Sequence, residues 1–362
     1  MKELIKNKNF SRPEPVLPKE DSLSVNKKDD KQQAAEWLIS GKEVVIEDQF
    51  HTGMMVLAEL KKKIFGEKSK QDFTAYRETR SKFHEASNRL LVPVKQHQIA
   101  LKKSPEIGWL DILYPDVADF LLPFPQVQGL NSSWQWYQKG ISYPGLNKKF
   151  HPFYGTYFPT RFDHLRLFWN WLKNYSGIKN SAIDVGTGCG VLAFQLLSSG
   201  FEFVQAVDVN PNAIISVQEN AERFEFEGRL DVRQSDLFEK CDRMADLIVF
   251  NPPWLPAQKE RSGLDEAIYY EPGLFERFFD QAEKFLQNKG RIVLLFSNLA
   301  EHSGLQEEHP VERELSNHKR FKKTELLKKK AARSSKKTKR KDHRKKEFVE
   351  LWVLERSVGT SK

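Results

Sequence analysis

Cysteine is scarce in this sequence and long apolar runs are absent, and each deficit excludes a class of protein. The 362 residues include two cysteines, Cys189 and Cys241, too few for a disulfide framework or a thiolate metal site. No apolar stretch approaches the roughly 18 residues of a membrane helix, and residues 1–30 lack the apolar core of a signal peptide. The histidines are scattered without metal-ligand spacing. We therefore expect a soluble cytoplasmic protein with no metal and no membrane partner.

Lysine and arginine are abundant, but the excess of positive charge is concentrated in one segment. The net charge is +9, and the stretch between Lys319 and Lys346 contains sixteen lysines and arginines against two acids. The remainder of the chain is therefore negative, at about −5. Because such a segment repels itself and neutralises phosphates, it predicts a basic loop that binds RNA or the ribosome. A solvated loop and a nuclear-localisation-like patch are the alternatives.

Composition and periodicity divide the chain into four regions. Residues 1–30 are expected to be a disordered leader, and residues 31–123 mix helical and strand patterns, which predicts a small accessory domain for substrate recognition. Residues 124–163 are rich in proline, glycine and aromatic side chains and predict a linker that wraps over the following domain. Residues 164–356 form the main domain, with the basic loop at 319–346.

Strand and helix patterns alternate through the main domain. This alternation is typical of an α/β fold with a doubly wound, mostly parallel sheet, here of seven strands. The last strand, from Phe348 to Leu354, has the period-two pattern of an antiparallel strand at the edge of the sheet. The smaller N-terminal domain is expected to be mixed, with a short strand or extended segment from Trp109 to Leu113.

A glycine-rich turn follows the strand that contains Asp184. Gly186, Gly188 and Gly190 surround Thr187 and directly precede a helix. Glycines there let the backbone and the N-terminus of the helix approach a ligand, because a Cβ atom would block the approach. A tight turn without a ligand is the alternative, and the spacing differs from the G-x-G-x-x-G of dinucleotide enzymes.

Two more acids follow the next two strands. Asp208 lies about 20 residues beyond the glycines, where a carboxylate accepts hydrogen bonds from both ribose hydroxyls; capping of the next helix is the alternative. Asp236 and Leu237 follow the third strand, where the carboxylate could accept from an adenine amino group while Phe238 frames the ring. Without the two acids that precede it, Asp236 would be interpreted as an ordinary acid in a surface loop. In this order the acids favour an adenosine ligand.

The motif Asn251-Pro252-Pro253-Trp254 directly follows the predicted strand that ends at Phe250. Consecutive prolines restrict the backbone and lack N–H donors, so carbonyl groups can point into a site. A planar NH2 group is a poor nucleophile, and two acceptors for its hydrogens, the Asn251 side-chain oxygen and the Pro252 carbonyl, would expose its lone pair. Trp254 can stack on the planar group. An ordinary Pro-Pro turn is the alternative.

With these motifs in order, the chain resembles the Rossmann-like methyltransferases of the HemK/PrmC and N6-adenine type over about residues 150–356. The resemblance implies S-adenosyl-L-methionine as cofactor, with the methionine part at the glycine turn and the adenosine at the acids. Pro159 and Thr160 resemble the family's segment that covers the cofactor. The implied cofactor-binding residues are Asp184, Gly186, Thr187, Gly188, Gly190, Asp208, Asp236, Leu237, Pro159 and Thr160. The implied catalytic residues are Asn251, Pro252, Pro253 and Trp254.

The leading hypothesis is methylation of an exocyclic amine of RNA, ribosomal RNA in particular. A protein glutamine amide fits the same motif, although glutamine methyltransferases of this family usually have tyrosine where this chain has Trp254. A non-catalytic module that binds RNA or the ribosome is a third hypothesis. An NAD-dependent oxidoreductase is disfavoured by the glycine spacing and by the motif at Asn251.

Overall fold

The computed structural model describes residues 9–17, 19, 22–66, 73–257, 269–302, 305, 308–331 and 347–357. These residues divide into two compact units, of which the smaller comprises residues 12–138 and the larger the described residues of 1–11 and 139–362. Among them, no helix combines the length and the apolar character that crossing a membrane requires.

A mixed five-stranded sheet forms the centre of the smaller unit. β3 runs parallel to β2 and antiparallel to β4 and β5, while β1 runs parallel to β2. The strands are β1 (Leu23–Val25), β2 (Val44–Ile46), β3 (Leu90–Lys95), β4 (Gln98–Ile99) and β5 (Phe120–Pro123). The helices are α1 (Lys31–Ile39), α2 (Phe50–Phe65), α3 (Phe73–Ser87), α4 (Trp109–Leu113) and α5 (Phe124–Lys139).

The expected leader is partly folded, which corrects the prediction for residues 1–30. Residues 23–25 form β1, and Val25 is fully buried in the sheet. The Tyr114 hydroxyl donates a hydrogen bond to the Pro13 carbonyl at 2.7 Å. Residues 1–8, 18, 20 and 21 lie outside the described part of the chain.

Two segments of the smaller unit are helical where the sequence predicted otherwise. The expected strand at residues 109–113 is α4, because Trp109 and Leu113 are one helical turn apart and both are buried. The first part of the expected linker is α5, whose buried residues Phe124, Val127 and Leu130 recur every three residues. The apolar run at residues 109–113 is too short for its pattern to distinguish a helix from a strand, and the proline and aromatic content of residues 124–163 favoured a linker over a helix. Substrate recognition by residues 31–123 stays a prediction.

The larger unit contains a seven-stranded sheet of order β13-β14-β12-β9-β6-β7-β8. The strands are β6 (Ser181–Val185), β7 (Phe203–Asp208), β8 (Leu230–Gln234), β9 (Ala245–Phe250), β12 (Leu286–Ser297), β13 (Phe321–Lys330) and β14 (Phe348–Arg356). The neighbouring strands from β12 to β8 pair in parallel, whereas β14 is antiparallel to both β12 and β13. The predicted doubly wound, mostly parallel fold is confirmed.

Helices and short elements complete the larger unit. The helices are α6 (Asp163–Lys173), α7 (Val191–Ser198), α8 (Pro211–Phe224), α9 (Leu274–Phe285), α10 (Leu299–His302) and α11 (Pro310–Asn317), with a 3-10 turn at Glu227–Arg229. β10 (Leu255–Pro256) and β11 (Tyr269–Tyr270) pair in parallel as a separate ribbon. Leu247, Ile248 and Val249 of β9 have no exposed surface, as expected for a parallel strand covered on both faces.

The basic segment begins as a strand, which corrects the prediction of a loop at 319–346. β13 pairs with β14 from Phe321 opposite Arg356 to Lys330 opposite Phe348, so β14 is the second strand from the edge and not the edge itself. Phe321 is buried while all five lysines of β13 are exposed, a pattern that discourages pairing with further strands. The remaining basic residues, 332–346, lie outside the described part of the chain.

The order of the strands indicates where in the larger unit a ligand is expected to bind. It reverses between β6 and β9, which lie side by side in the middle of the sheet with Val185 opposite Phe250. In open α/β sheets, ligands bind at the carboxyl ends of the strands beside such a reversal. The glycine turn and the Asn251 motif start one residue beyond these paired positions, so both begin at the expected edge.

Candidate active site

The glycine turn is tightly packed between β6 and α7. Gly186, Gly188 and Gly190 have φ values of +62°, +54° and +96°, in the left-handed region that favours glycine. A Cβ atom on Gly186 would lie 3.2 Å from the Phe250 ring, and one on Gly188 would lie 3.1 Å from the Tyr157 carbonyl oxygen. The turn therefore contacts the end of β9 on one side and the segment before α6 on another.

Asp184 is completely buried beneath the turn. Its Oδ2 accepts hydrogen bonds from Thr187 Oγ1 at 2.6 Å and from the Ala193 N–H at 3.0 Å. Its Oδ1 has no hydrogen-bond partner among the described residues. Burial raises the pKa of this carboxyl to about 7. The turn thus surrounds one acceptor that is left for a donor from outside.

Asp208 holds the glycine turn directly. Its Oδ2 accepts from the Gly188 N–H at 2.8 Å and its Oδ1 from the Asn210 N–H at 2.9 Å. The N-cap of α8 is Asn210, whose side chain accepts from the Asn212 N–H at 2.9 Å. Capping of that helix by Asp208, the alternative reading, is therefore wrong, and the carboxylate lies against the turn.

Asp236 lies at the end of β8, but its surroundings differ from the expectation. The carboxylate is about half exposed and accepts from Arg277 Nη1 of α9 at 2.6 Å. Leu237 has a positive φ of +46° and is buried. Phe238 is fully buried, with its ring stacked on Phe285 at 5.4 Å. The expectation that Phe238 frames an adenine ring is therefore wrong, because its side chain belongs to the core under α9.

The segment containing Pro159 and Thr160 lies across the glycine turn. The Tyr157 carbonyl accepts a hydrogen bond from the Cys189 N–H at 3.1 Å, and the Pro159 carbonyl accepts from the Tyr143 hydroxyl, also at 3.1 Å. The segment thus contacts the glycine turn at Tyr157, and the covering of a cofactor by Pro159 and Thr160 stays a prediction.

A buried polar face of α8 anchors the same segment, and sequence reasoning missed it. Asn212, Ser216 and Asn220 have no exposed surface and follow one another at four-residue spacing, which places them on one side of the helix. Four of their hydrogen bonds reach the backbone of residues 151–154. They run from Asn212 Nδ2 to the Tyr154 carbonyl at 2.8 Å, from the Phe153 N–H to Ser216 Oγ at 3.2 Å, from the His151 N–H to Asn220 Oδ1 at 2.9 Å, and from Asn220 Nδ2 to the His151 carbonyl at 3.1 Å. The four-residue spacing of these polar residues in the sequence could have revealed this face of the helix.

The Asn251 motif leaves one acceptor unused. Asn251 Oδ1 is buried and has no hydrogen-bond partner within the described ranges. Trp254 Nε1 donates to the Leu295 carbonyl at 3.2 Å. The His164 ring stands edge-on to the Trp254 ring, with centroids 5.4 Å apart. His164, one of the histidines without metal-ligand spacing, is a buried residue that packs against the motif.

Comparisons with known proteins agree with this geometry. Residues 164–328 match the methyltransferase small domain. A putative protein N5-glutamine methyltransferase of Methanocaldococcus jannaschii is 29% identical over 44% of this chain and 80% of its own length. The chain is an S-adenosylmethionine-dependent methyltransferase. The resemblance to the Rossmann-like methyltransferases of the HemK/PrmC and N6-adenine type is confirmed.

Other relatives of the methyltransferase differ in what their names say they modify. A tRNA1(Val) (adenine(37)-N6)-methyltransferase of Glaesserella parasuis is 31% identical over 35% of this chain and 55% of its own length. A release factor glutamine methyltransferase of Lactococcus lactis is 31% identical over 31% of this chain and 45% of its own length. The chain thus spans about half the length of these two relatives.

Two features of the glycine turn fit the cofactor of this methyltransferase. The turn leaves a buried acceptor, Asp184 Oδ1, beside backbone that only glycine can adopt without strain. The cofactor carries a charged amino group that such an acceptor binds. The roles of the individual residues stay predictions.

Proposed function

We propose that this methyltransferase modifies a planar NH2 nitrogen of RNA, an exocyclic amine of ribosomal RNA in particular. The observation that supports the proposal most directly is Asn251 Oδ1, which is buried without a partner in the described structure. Leaving a buried acceptor unpaired costs about 1–3 kcal/mol. An N–H donor of the substrate would remove this cost, and Phe250, the preceding residue, packs against the glycine turn where the cofactor is expected.

The side chains of the motif have separate tasks in this proposal. S-adenosylmethionine supplies an electrophilic methyl group. Asn251 Oδ1 and the Pro252 carbonyl accept hydrogen bonds from the two N–H groups of the NH2 nitrogen, which draws the nitrogen towards a tetrahedral geometry and makes its lone pair less delocalised and more nucleophilic. Trp254 stacks on the planar acceptor, and its own orientation is set by the Leu295 carbonyl and the His164 ring. Pro253 restricts the backbone between them.

The cofactor is proposed to lie along the ends of β6, β7 and β8. The turn from Gly186 to Gly190, with Asp184 and Thr187, would hold the methionine part, and Pro159 and Thr160 would cover it. Asp208 would bind the ribose, because it is the last residue of β7 and its carboxylate lies against the glycine turn. Asp236 and the backbone at Leu237 would meet the adenine.

The position of the basic segment favours RNA as the substrate. Residues 332–346 contain nine lysines and arginines and one acid. The residues on either side of them are joined, since the Ala331 N–H donates to the Glu347 carbonyl at 2.9 Å. Ala331 and Glu347 also line a cavity that Trp254 borders. RNA bound electrostatically by this segment would be held close to the motif.

A protein glutamine amide is the second candidate, and the named glutamine methyltransferases among the relatives favour it. An amide NH2 offers Asn251 the same two hydrogens. The two candidates differ in the macromolecule that becomes labelled, so they are separable by one assay.

The test uses the purified protein with methyl-labelled cofactor and lysate from cells that lack its gene. We expect label in macromolecules that RNase destroys and protease does not. Asn251→Ala should lower the rate of labelling about 10²–10³-fold, to background in this assay, while calorimetry shows unchanged cofactor affinity. The exposed Asn147→Ala serves as the matched control. Label that survives RNase and is lost to protease would establish the glutamine alternative. Labelling that survives Asn251→Ala would contradict the role of the motif.

A further inference from the structure

A second unexplained group of polar residues lies beside Trp254. A cavity of about 150 Å³ is bordered by Trp254, His164, Arg161, Asp163, Ala331 and Glu347, and on another side by Pro159 and Thr160, the residues proposed to cover the cofactor. Glu347 precedes β14, whose first residues lie at the carboxyl edge of the sheet because β14 is antiparallel to β12. The cavity is therefore at the same edge as the Asn251 motif.

Glu347 is a buried acid with unused hydrogen-bonding capacity. Its side chain is 2% exposed and lies 3.3 Å from Arg161 Nη1 and 3.4 Å from Ser297 Oγ. Charge-assisted bonds in proteins are shorter, at about 2.7–2.9 Å, and a carboxylate has about four acceptor sites. Two long contacts thus leave Glu347 able to accept strong hydrogen bonds from a ligand.

The charge of the cavity excludes one class of ligand group. Glu347 and Asp163 contribute two negative charges against the one positive charge of Arg161, and burial of His164 lowers its pKa to about 4, so this ring is neutral near pH 7. His164 Nε2 is also buried without a partner among the described residues. A net negative cavity repels phosphate and suits groups that donate N–H bonds.

We propose that this cavity is a specificity subsite for a guanine that neighbours the methylated nucleotide, with Glu347 accepting hydrogen bonds from the guanine N1–H and N2–H. The proposal rests on the proposed function, since it takes RNA as the substrate. Guanine is the standard base with two adjacent donors on one edge, the geometry that pairs with the two oxygens of a carboxylate. Glu347 then determines sequence preference and leaves the methylated nitrogen to Asn251.

The test combines a protein change with a substrate change. The methylated site is first mapped in RNA labelled by the wild-type protein, and oligonucleotides of that site are made with each nearby guanine replaced by inosine, which lacks the 2-amino group. A bidentate contact with a base contributes about 1–3 kcal/mol. We expect one inosine to lower kcat/KM of the wild type about 10-fold, and Glu347→Gln to lower kcat/KM on the guanine substrate similarly while becoming insensitive to that inosine.

Two further variants separate recognition from damage to the fold. Glu355→Gln makes the same change on the same strand at a residue that pairs with Arg291, and it should keep the inosine effect. Ala331→Leu narrows the cavity without removing the carboxylate and should weaken the preference for guanine. Calorimetry should show wild-type cofactor affinity for Glu347→Gln and Glu355→Gln.

Different results would contradict the guanine subsite and the proposed function. If no guanine lies near the mapped site, or if Glu347→Gln responds to inosine as the wild type does, the subsite is wrong while RNA methylation stands. If the wild-type protein labels no RNA, the proposed function and the subsite both fail.

Discussion

The two sides of the site treat their polar atoms differently. On the cofactor side, Asp208 already accepts two backbone hydrogen bonds and Asp236 an arginine. On the acceptor side, Asn251 Oδ1 is buried and has no partner among the described residues. The cofactor side is thus held in shape by internal bonds, whereas the acceptor side keeps an acceptor for the substrate. A mutation on the cofactor side should therefore disturb the shape of the site, whereas a mutation on the acceptor side should remove a contact with the substrate.

The largest effect is expected on the acceptor side. Asn251→Ala should lower kcat about 10²–10³-fold, the size of effect seen when one positioned hydrogen-bonding group is removed from a catalytic site. The cofactor dissociation constant should change less than about 2-fold, because the side chain is not needed to shape the glycine turn. Single-turnover kinetics and calorimetry measure the two quantities. A large loss of cofactor affinity would contradict the separation of the two sides.

Asp184 is an exception to this contrast between the two sides, since its Oδ1 lies on the cofactor side and has no partner among the described residues. Its pKa is raised to about 7 in the folded protein by burial, so its stabilising contribution is present at acid pH and is lost as pH rises towards 7. We expect the free energy of unfolding without cofactor to fall by up to about 3 kcal/mol between pH 5 and pH 7.

Chemical denaturation at each pH tests this expectation. Asp184→Asn should remove the fall, and saturating S-adenosylmethionine should reduce it because a positive group beside Oδ1 favours the ionised carboxylate. Asp246→Asn, at a buried acid of β9 that accepts from the Ser181 N–H, is the matched control. A wild-type slope identical to that of Asp184→Asn would show that Asp184 is not the titrating group.

Substitution of Asp208 should affect cofactor affinity rather than kcat at saturating cofactor, the opposite of the result expected for Asn251. Asp208→Ala removes the proposed ribose ligand and also releases the Gly188 and Asn210 N–H groups that it holds. Hydrogen bonds to a charged group contribute about 1.5–3 kcal/mol, so cofactor affinity should fall about 10- to 100-fold. Saturating cofactor should restore most of kcat, because the acceptor side is unchanged. Loss of kcat with unchanged affinity would contradict this assignment.

Local patterns predicted the positions of the site elements, and distant contacts set their surroundings. The glycines, Asp208 and Asn251 each follow a strand directly, so their meeting at one edge follows from strand order. Arg277 lies 41 residues from Asp236, and Glu347 lies 186 residues from Arg161. No periodicity connects such pairs. The charge of the basic segment likewise concealed the apolar residues with which β13 joins the sheet.

The smallest effect is expected at Asp236, where solvent and Arg277 moderate the contribution of the carboxylate. Exposed ion pairs contribute about 0–1 kcal/mol, and the half-exposed Asp236 keeps hydrogen-bonding capacity towards solvent. Asp236→Asn should therefore weaken cofactor binding only about 3-fold, and Arg277→Gln should change it by a similar factor. Calorimetry at two salt concentrations measures both. An effect as large as that of Asp208→Ala would show that the adenine end is held as firmly as the ribose, and the contrast between buried and exposed cofactor contacts would be lost.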